Sequence, residues 1–213
     1  MNYCTSYRYL GVTLNEFLDF NFNADTQSGP AGRAHGAIIT KTIKNGGLPY
    51  DIYTILFECC CTSVSDYGSE VWGFEPKDAV TKIYLRAARS FLGPPKNATS
   101  VGVLAEIIWL EPVFRAQIRM VRKFCRVFNM ENSRLTKKII SWDTKISEQF
   151  GFQTSYKEIK NIFETYNMTA IFERGVDIKY IVDNLKHGML VKQNVDFKIK
   201  CEDKPNFRTF ISF

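Results

Sequence analysis

Residues 112–130 read PVFRAQIRMVRKFCRVFNM and divide into two chemical faces when they are wound as an α-helix. Apolar side chains recur every three or four residues, the spacing of a buried helix face. They are Phe114, Ile118, Val121, Cys125 and Phe128. Basic side chains follow the same spacing one position later, with no acidic residue among them. They are Arg115, Arg119, Arg122 and Arg126, with Lys123 beside them.

The pattern therefore predicts a helix with one buried face and one exposed basic face. Like charges at this spacing repel one another by a few tenths of a kcal/mol per pair, which weakens the helix slightly. Two interpretations stay open. The basic face is either the solvated side of an ordinary helix or a surface that binds a polyanion.

A second segment repeats the pattern. Residues Pro76–Leu92 predict a helix with proline in its first turn and Gly93-Pro94 after its end. Its predicted buried side comprises Val80, Ile83, Tyr84, Ala87 and Phe91, and its basic side comprises Lys82, Arg86 and Arg89. Further charge precedes a third short helix, in Lys137 and Lys138. We expect the two basic faces to border one groove.

The positive charge is concentrated in the middle of the chain. Residues 1–75 hold 4 Lys and Arg against 8 Asp and Glu, residues 76–150 hold 14 against 6, and residues 151–213 hold 10 against 8. A local excess of this kind is more informative than the net charge of +6. It favours a surface that faces a polyanion.

The composition predicts a folded protein inside the cell. Of its 213 residues 45% are hydrophobic and 23% are charged, which is typical of globular domains. The apolar runs are shorter than a membrane span, and the first ten residues do not resemble a secretory signal. We therefore expect no membrane association and a nuclear or cytoplasmic location.

Cysteine and histidine usage predicts no metal site, no cofactor and no catalytic triad. Three of the six cysteines are consecutive, at residues 59–61, and none has the paired spacing of a zinc site. Only His35 and His187 are available as imidazole ligands or bases. Cys125 falls on the apolar face of the first segment and is interpreted as a small core residue.

The rest of the chain predicts a mainly α-helical bundle with a short β element at its N-terminus. Residues 7–14 predict a lone strand or hairpin arm. Helices are expected over residues 31–45, from Pro49 onward as the central buried helix, and over residues 156–166 and 176–190. Residues 191–213 predict a strand pair or extended tail. Trp109 and Trp142 are interpreted as core or inter-helix anchors.

Several motifs resemble the region after the catalytic core of non-LTR (LINE-like) retrotransposon reverse transcriptases. Tyr9-Leu10-Gly11-Val12 resembles the element that closes the palm and forms the primer grip. Three further segments resemble successive signatures of the helical thumb and its extension, and the whole resemblance covers roughly residues 5–145. They are Ala34-His35-Gly36-Ala37-Ile38, Tyr67-Gly68-Ser69-Glu70-Val71-Trp72-Gly73 and Arg86-Ala87-Ala88-Arg89-Ser90-Phe91-Leu92-Gly93.

The resemblance implies a primer-grip remnant and linker over residues 1–22, a thumb-like region over residues 23–150 and a C-terminal module over residues 151–213. It also implies that the basic faces hold the phosphates of RNA or of an RNA/DNA template–primer duplex. Polymerases of this family bind two metal ions through an aromatic-x-Asp-Asp turn, and this sequence contains no Asp-Asp dipeptide. We therefore expect a catalytically inactive fragment.

Two functions remain open from the sequence. The first is phosphate-mediated binding of nucleic acid, without readout of the bases. The second is a non-catalytic interaction or structural protein, or a degraded mobile-element reading frame with no selected function. An N-terminal strand without a sheet, exposing Leu10 and Val12, would favour association with other chains.

Overall fold

The computed structural model describes residues 5–17, 20–73, 77–152, 154–168 and 177–202 and confirms a mainly helical fold with a small N-terminal sheet. The chain divides into two compact units, Met1–Pro112 and Val113–Phe213, whereas the sequence places boundaries at residues 22 and 150. The elements of the first unit are β1 (Ser6–Tyr9), β2 (Val12–Asn15), α1 (Asn21–Lys44), α2 (Tyr50–Phe57), a π-helical turn (Glu58–Thr62), α3 (Ser63–Ser65), α4 (Ser69–Trp72), α5 (Asp78–Leu92) and α6 (Ser100–Glu106). The remaining elements are α7 (Pro112–Phe128), α8 (Leu135–Phe150), α9 (Ser155–Thr165) and α10 (Ile178–Glu202).

The N-terminal stretch pairs with itself, which confirms the hairpin-arm alternative for residues 7–14 and corrects the alternative of a strand without a partner. Strands β1 and β2 form an antiparallel hairpin in which Tyr9 faces Val12. Leu10 and Gly11 make the turn with φ values of 47° and 87°. Two successive residues with positive φ are the geometry that lets a two-residue turn follow the twist of its strands.

Helix α1 begins ten residues earlier than the glycines and proline of its sequence indicate. It starts at Asn21 and continues through Pro30. The predicted start at residue 31 is therefore wrong. The cause is tertiary, because the buried Asn23 side chain binds the hairpin twice. Its Oδ1 accepts from the Thr13 N–H at 2.6 Å, and its Nδ2 donates to the Thr13 carbonyl at 2.7 Å.

The core of the first unit is built from stacked aromatic rings. Phe57 and Trp109 stack with centroids 4.5 Å apart, and Tyr53 stacks on Phe91 at 4.8 Å. Tyr84 meets Phe57 edge-on at 5.1 Å. The burial of Trp109 confirms its predicted role as a core anchor, and Phe91 is half-buried.

The sequence predicts that the helix after Pro49 is buried on all sides, and this prediction is wrong. The inward side of the helix follows Tyr53, Phe57 and Cys61 at steps of four residues, and the chain widens into a π turn after Phe57. Ile52 and Ile55 lie on the other side and are exposed. The aromatic ring stack therefore sets the inward side, which the apolar count of the segment does not reveal.

Helix α5 confirms the second predicted segment. Val80, Ile83, Tyr84 and Ala87 are buried, and the helix ends at Gly93 in the left-handed conformation, with φ 60°. The predicted first-turn proline, at position 76, lies outside the described residues.

In the second unit, the predicted apolar positions of α7, α9 and α10 are buried or half-buried. Ile118, Val121 and Cys125 are buried as predicted, while Phe114 and Phe128 are half-buried. The predicted inward residues of the two later helices are also buried. They are Ile159, Ile162, Phe163, Ile181, Val182 and Leu185.

Two predictions for the second unit are wrong. Residues 191–202 are helical and continue α10 through the buried Gln193. The apolar alternation at Val195 and Ile199 also has a four-residue period, which fits a helix as well as a strand. The remaining residues of that segment, 203–213, lie outside the described part. Trp142 is 66% exposed on α8 rather than an anchor.

Among the described helices, none combines the length and apolar character needed to cross a bilayer.

Candidate nucleic-acid interface

A cleft of about 590 Å³ separates α1 from α5 in the first unit. Two of the predicted basic residues, Lys82 and Arg86, line its α5 wall. The full lining comprises Asp25, Ser28, Gly29, Gly32, Arg33, His35, Asp78, Ala79, Lys82, Ile83 and Arg86. Its volume is in the range of small-ligand sites in proteins.

The two helices run in the same direction along the cleft. At their N-terminal ends, Lys77 Nζ donates to Asn21 Oδ1 at 3.0 Å. At the other end, Tyr53 connects His35 of α1 to Ala87 of α5. The shared direction orders the charged side chains along the cleft.

The cleft is therefore electrically polarised. Asp25 and Asp78 lie towards the N-terminal ends of the two helices, and Arg33 and Arg86 lie eight residues further along each helix. Eight residues of α-helix span about 12 Å. Lys82 lies between the two ends on the α5 wall.

Arg33, Lys82 and Arg86 are exposed, and no hydrogen bond or ion pair engages their side chains within the described ranges. Sequence reasoning missed Arg33, since it has no basic neighbour at helical spacing on α1. A signal was present nonetheless in Gly29 and Gly32, which lie three residues apart and remove side chains from one wall of the cleft.

His35 is buried behind the basic end of the cleft. The Tyr53 hydroxyl donates to the Ala87 carbonyl at 2.9 Å, so it accepts from His35 Nε2 at 3.0 Å. This assigns the proton to Nε2. Burial lowers the pKa of His35, and the positive charge of Arg86 lowers it further. The imidazole is consequently neutral near pH 7.

Arg89, the third predicted member of the α5 basic face, has a structural partner. Its guanidinium donates to the Ala98 carbonyl at 2.7 Å and is half-buried. The bond ties the end of α5 to the loop that leads into α6. The cleft lining does not include Arg89.

The α7 basic face is only partly exposed. Arg115 and Arg119 are half-buried, which corrects the expectation of one exposed stripe, because the buried side of α7 is wider than the five predicted apolar positions. Arg122, Lys123 and Arg126 are exposed, and in the described part of the chain their side chains make no hydrogen bond or ion pair. The α7 face and the cleft belong to different units, so their convergence on one groove stays a prediction.

Lys137 and Lys138 differ sharply in exposure. Lys138 is exposed, as expected, whereas Lys137 is only 6% exposed. The Lys137 ammonium donates to the Phe128 carbonyl at the end of α7 and lies 3.9 Å from the centroid of the Phe128 ring. Cations at a helix C-terminus stabilise its unpaired carbonyls. Lys137 therefore acts as a structural cap.

The primer-grip-like residues form the hairpin turn and pack against the segment 66–73. The Tyr67 hydroxyl donates to the Leu10 carbonyl at 2.8 Å. A side chain at Gly68 would meet Val12 at 2.9 Å, and Gly68 itself has φ 72°. Tyr9 and Leu10 keep exposed side chains. The segment 66–73 thus holds the turn on one side, while the side chains of Tyr9 and Leu10 are exposed to solvent.

In the ranges that the structure describes, no group of three His, Cys, Asp or Glu side chains is arranged so that it could hold a metal ion. Burial raises the pKa of Cys61 to about 12 and that of Cys125 to about 11, which keeps both thiols protonated near neutral pH. The burial of Cys125 confirms its interpretation as a core residue.

Comparisons with known proteins add no assignment to this geometry: the chain matches no family model, no curated protein and no solved structure.

Proposed function

We propose that this chain is a non-catalytic nucleic-acid-binding protein, similar to the thumb of a non-LTR reverse transcriptase, that holds RNA or an RNA/DNA duplex through its phosphates. One observation carries the proposal. Arg33, Lys82 and Arg86 surround a single cleft without engaging acidic partners in the described residues. Cations that converge on a concave surface raise the local concentration of a polyanion.

The exposed cations of α7 add to this capacity. Arg122, Lys123 and Arg126 occupy the last two turns of the helix and are available to solvent. Each cation that contacts a phosphate releases condensed counterions from the nucleic acid, and that release favours binding. The chain thus offers six exposed cations on two surfaces.

The arrangement of the resembling motifs supports the same proposal. The Tyr9-Leu10-Gly11 turn and the Tyr67–Gly73 segment are far apart in sequence but contact each other through Tyr67 and Gly68. The absence of an Asp-Asp pair from the sequence is the reason for proposing binding without polymerisation.

A salt titration of binding tests the function. If about six phosphates are neutralised, affinity for a duplex falls roughly a thousandfold between 50 and 200 mM salt. Fluorescence anisotropy with an RNA/DNA hybrid and with a DNA duplex of the same sequence measures the slope. Binding that does not change with salt, or no binding at the lower concentration, contradicts the proposal.

Charge reversal in the cleft tests its location. Lys82→Glu together with Arg86→Glu should reduce duplex affinity by about 60-fold at roughly 0.1 M salt, because each lost contact costs about eightfold there. Lys41→Glu together with Lys44→Glu is the matched control, since both lysines are exposed at the end of α1 and outside the cleft. Equal losses in the two double variants would refute a specific role for the cleft.

A second candidate function is protein association, which α8 favours. Leu135, Ile139 and Trp142 lie at helical spacing on one face and are 72%, 54% and 66% exposed. Exposed apolar faces of this kind are typical of interaction surfaces. Light scattering on the purified chain discriminates, because an association that Trp142→Glu abolishes, without nucleic-acid binding, would favour this function over the first.

A further inference from the structure

The α1–α5 cleft has an interior and a charge order that contacts with duplex phosphates do not account for. A duplex presents its phosphates on a convex cylinder, each carrying one negative charge. The cleft is a concave space of about 590 Å³ between two neighbouring helices. Its dimensions suit one small polar group that enters between the walls.

The charge order of the cleft restricts the chemistry of that group. Arg33 and Arg86, on opposite walls, form a basic end, and Asp25 and Asp78, also on opposite walls, form an acidic end. A ligand that satisfies both ends carries an anion at one end and hydrogen-bond donors at the other. A simple inorganic anion could bind at the basic end but has no hydrogen-bond donors for the acidic end.

A nucleoside 5′-monophosphate has both properties. Its terminal phosphate carries about −1.5 to −2 charges near pH 7, compared with one for a backbone phosphate. The amino groups of cytosine, adenine and guanine are donors, and carboxylates accept from such groups in protein–nucleic acid complexes. We propose that the cleft binds the 5′-terminal nucleotide of a single strand, with its phosphate at Arg33 and Arg86 and its base towards Asp25 and Asp78.

The glycines on α1 make this placement sterically open. A side chain added at Gly32 would meet no atom within 4 Å, although Gly32 lines the cleft. Replacing a glycine inside a helix also favours the helix, because glycine loses more conformational freedom on folding than other residues do. Because the Cβ position at Gly32 is open, we expect Gly32→Leu to place its side chain in the cleft while the chain keeps its fold.

Gly36 supplies the matched control. It follows Gly32 by one turn on the same helix, and a side chain added there also meets no atom within 4 Å. It does not belong to the cleft lining. Gly36→Leu thus adds the same side chain at a glycine whose Cβ position is also free of neighbours, but outside the residues that line the cleft.

The inference rests on the proposed function, and the experiment separates the two. A short single-stranded RNA with a 3′ label is prepared with a 5′-phosphate and with a 5′-hydroxyl, and both are titrated against the full chain. The extra terminal charge should strengthen binding about fivefold at roughly 0.1 M salt, because each phosphate contact with a single strand releases fewer counterions than a contact with a duplex. This preference should disappear in Gly32→Leu and persist in Gly36→Leu.

A second variant and a competitor extend the test. Arg33→Gln should also abolish the preference, since it removes the charge from the α1 wall without filling the cleft. Unlabelled cytidine 5′-monophosphate should compete with the phosphorylated strand for the cleft and so remove the difference in affinity between the two strands. Cytidine, which lacks the phosphate, should leave that difference unchanged. Failure of the monophosphate to compete, or a preference that survives in Gly32→Leu, overturns the cleft as the site.

Equal binding of the two strands, with the salt dependence intact, overturns this inference and leaves the proposed function standing. An absence of salt-dependent binding to the duplex and to both strands overturns both. Thermal unfolding of Gly32→Leu at or above the wild-type midpoint excludes misfolding as the cause of a lost preference.

Discussion

The basic faces of α5 and α7 have the same spacing of basic residues in the sequence, but the structure uses these residues differently. On α5, Lys82 and Arg86 line an open cleft, and Arg89 is bound to a backbone carbonyl. On α7 the order is reversed, with a half-buried beginning and an exposed end at Arg122 and Arg126. Helical spacing thus predicts which side of a helix carries charge, while the neighbouring elements decide which of those charges remain available to a ligand.

The largest expected effect comes from the exposed end of α7. Reversing Arg122, Lys123 and Arg126 to glutamate should weaken duplex binding about 500-fold at roughly 0.1 M salt, which is three contacts at about eightfold each. The slope of log affinity against log salt should fall by about 2.7. Anisotropy titrations at several salt concentrations measure both quantities.

The exposed lysines of α10 provide the control for that variant. Lys179, Lys186 and Lys198 lie in the same unit and on a helix of similar exposure. Their reversal changes the net charge by the same amount. If reversal of the α10 lysines weakens binding as much as reversal of the α7 residues does, net charge rather than the α7 face determines affinity. That result would contradict the role proposed for the α7 face.

The next effect separates two adjacent lysines. Lys137→Met should lower the free energy of unfolding by about 2 kcal/mol, since it removes a charged hydrogen bond and leaves the Phe128 carbonyl without that donor. Lys138→Met should change it by less than about 0.5 kcal/mol, because Lys138 is exposed. Urea denaturation measures both. Equal stabilities would show that Lys137 does not cap α7.

A smaller effect divides the α5 face itself. Arg89→Met should cost about 1.5 kcal/mol of stability through the lost bond to Ala98 and leave nucleic-acid affinity nearly unchanged. Arg86→Met should do the opposite, since its side chain is exposed at the cleft. Both variants remove one positive charge from the same helix. A loss of affinity in Arg89→Met that matches Arg86→Met would contradict the assignment.

Local patterns in the sequence predicted the helical class and most inward positions. The inward sides of α5, α7 and α9 follow directly from apolar spacing, because each of these helices buries one face against its own unit. The left-handed Gly93 at the end of α5 follows from the preference of helix ends for glycine. These features depend on a few neighbouring residues.

The failures have long-range causes. The early start of α1 depends on bonds between Asn23 and the hairpin, and the open side of α2 depends on the ring stack around Trp109. The cleft itself needs α1 and α5 side by side, so Arg33 joins Lys82 and Arg86 only in three dimensions. No spacing within one helix encodes that meeting.

The smallest effect probes the contact between the cleft and the buried histidine. The pKa of His35 is lowered in the folded state from 6.5, so the unfolded chain takes up the proton first as the pH falls. The stability that the neutral imidazole provides is fully present above about pH 6.5 and is lost as the pH decreases below it. His35→Gln should therefore flatten the pH dependence of the unfolding free energy between about pH 7.5 and 5.5. His187→Gln, at an exposed position of α10, serves as the control and should behave as wild type.

Arg86 makes this measurement a test of the comparison between the two faces. Its charge is the second cause of the lowered pKa, after burial. The Tyr53 hydroxyl and the Phe57 ring also lie against the imidazole, and neither carries a charge near neutral pH. Arg86→Met should therefore raise the pKa of His35 and weaken the loss of stability at low pH, whereas Arg89→Met removes an equal charge that points to Ala98 and should not. An anion that binds at Arg86 should act in the same direction as Arg86→Met, because it neutralises the same charge. If the two arginine variants titrate alike, then Arg86 does not face His35 at the basic end of the cleft, and the charge order on which the nucleotide site depends fails with it.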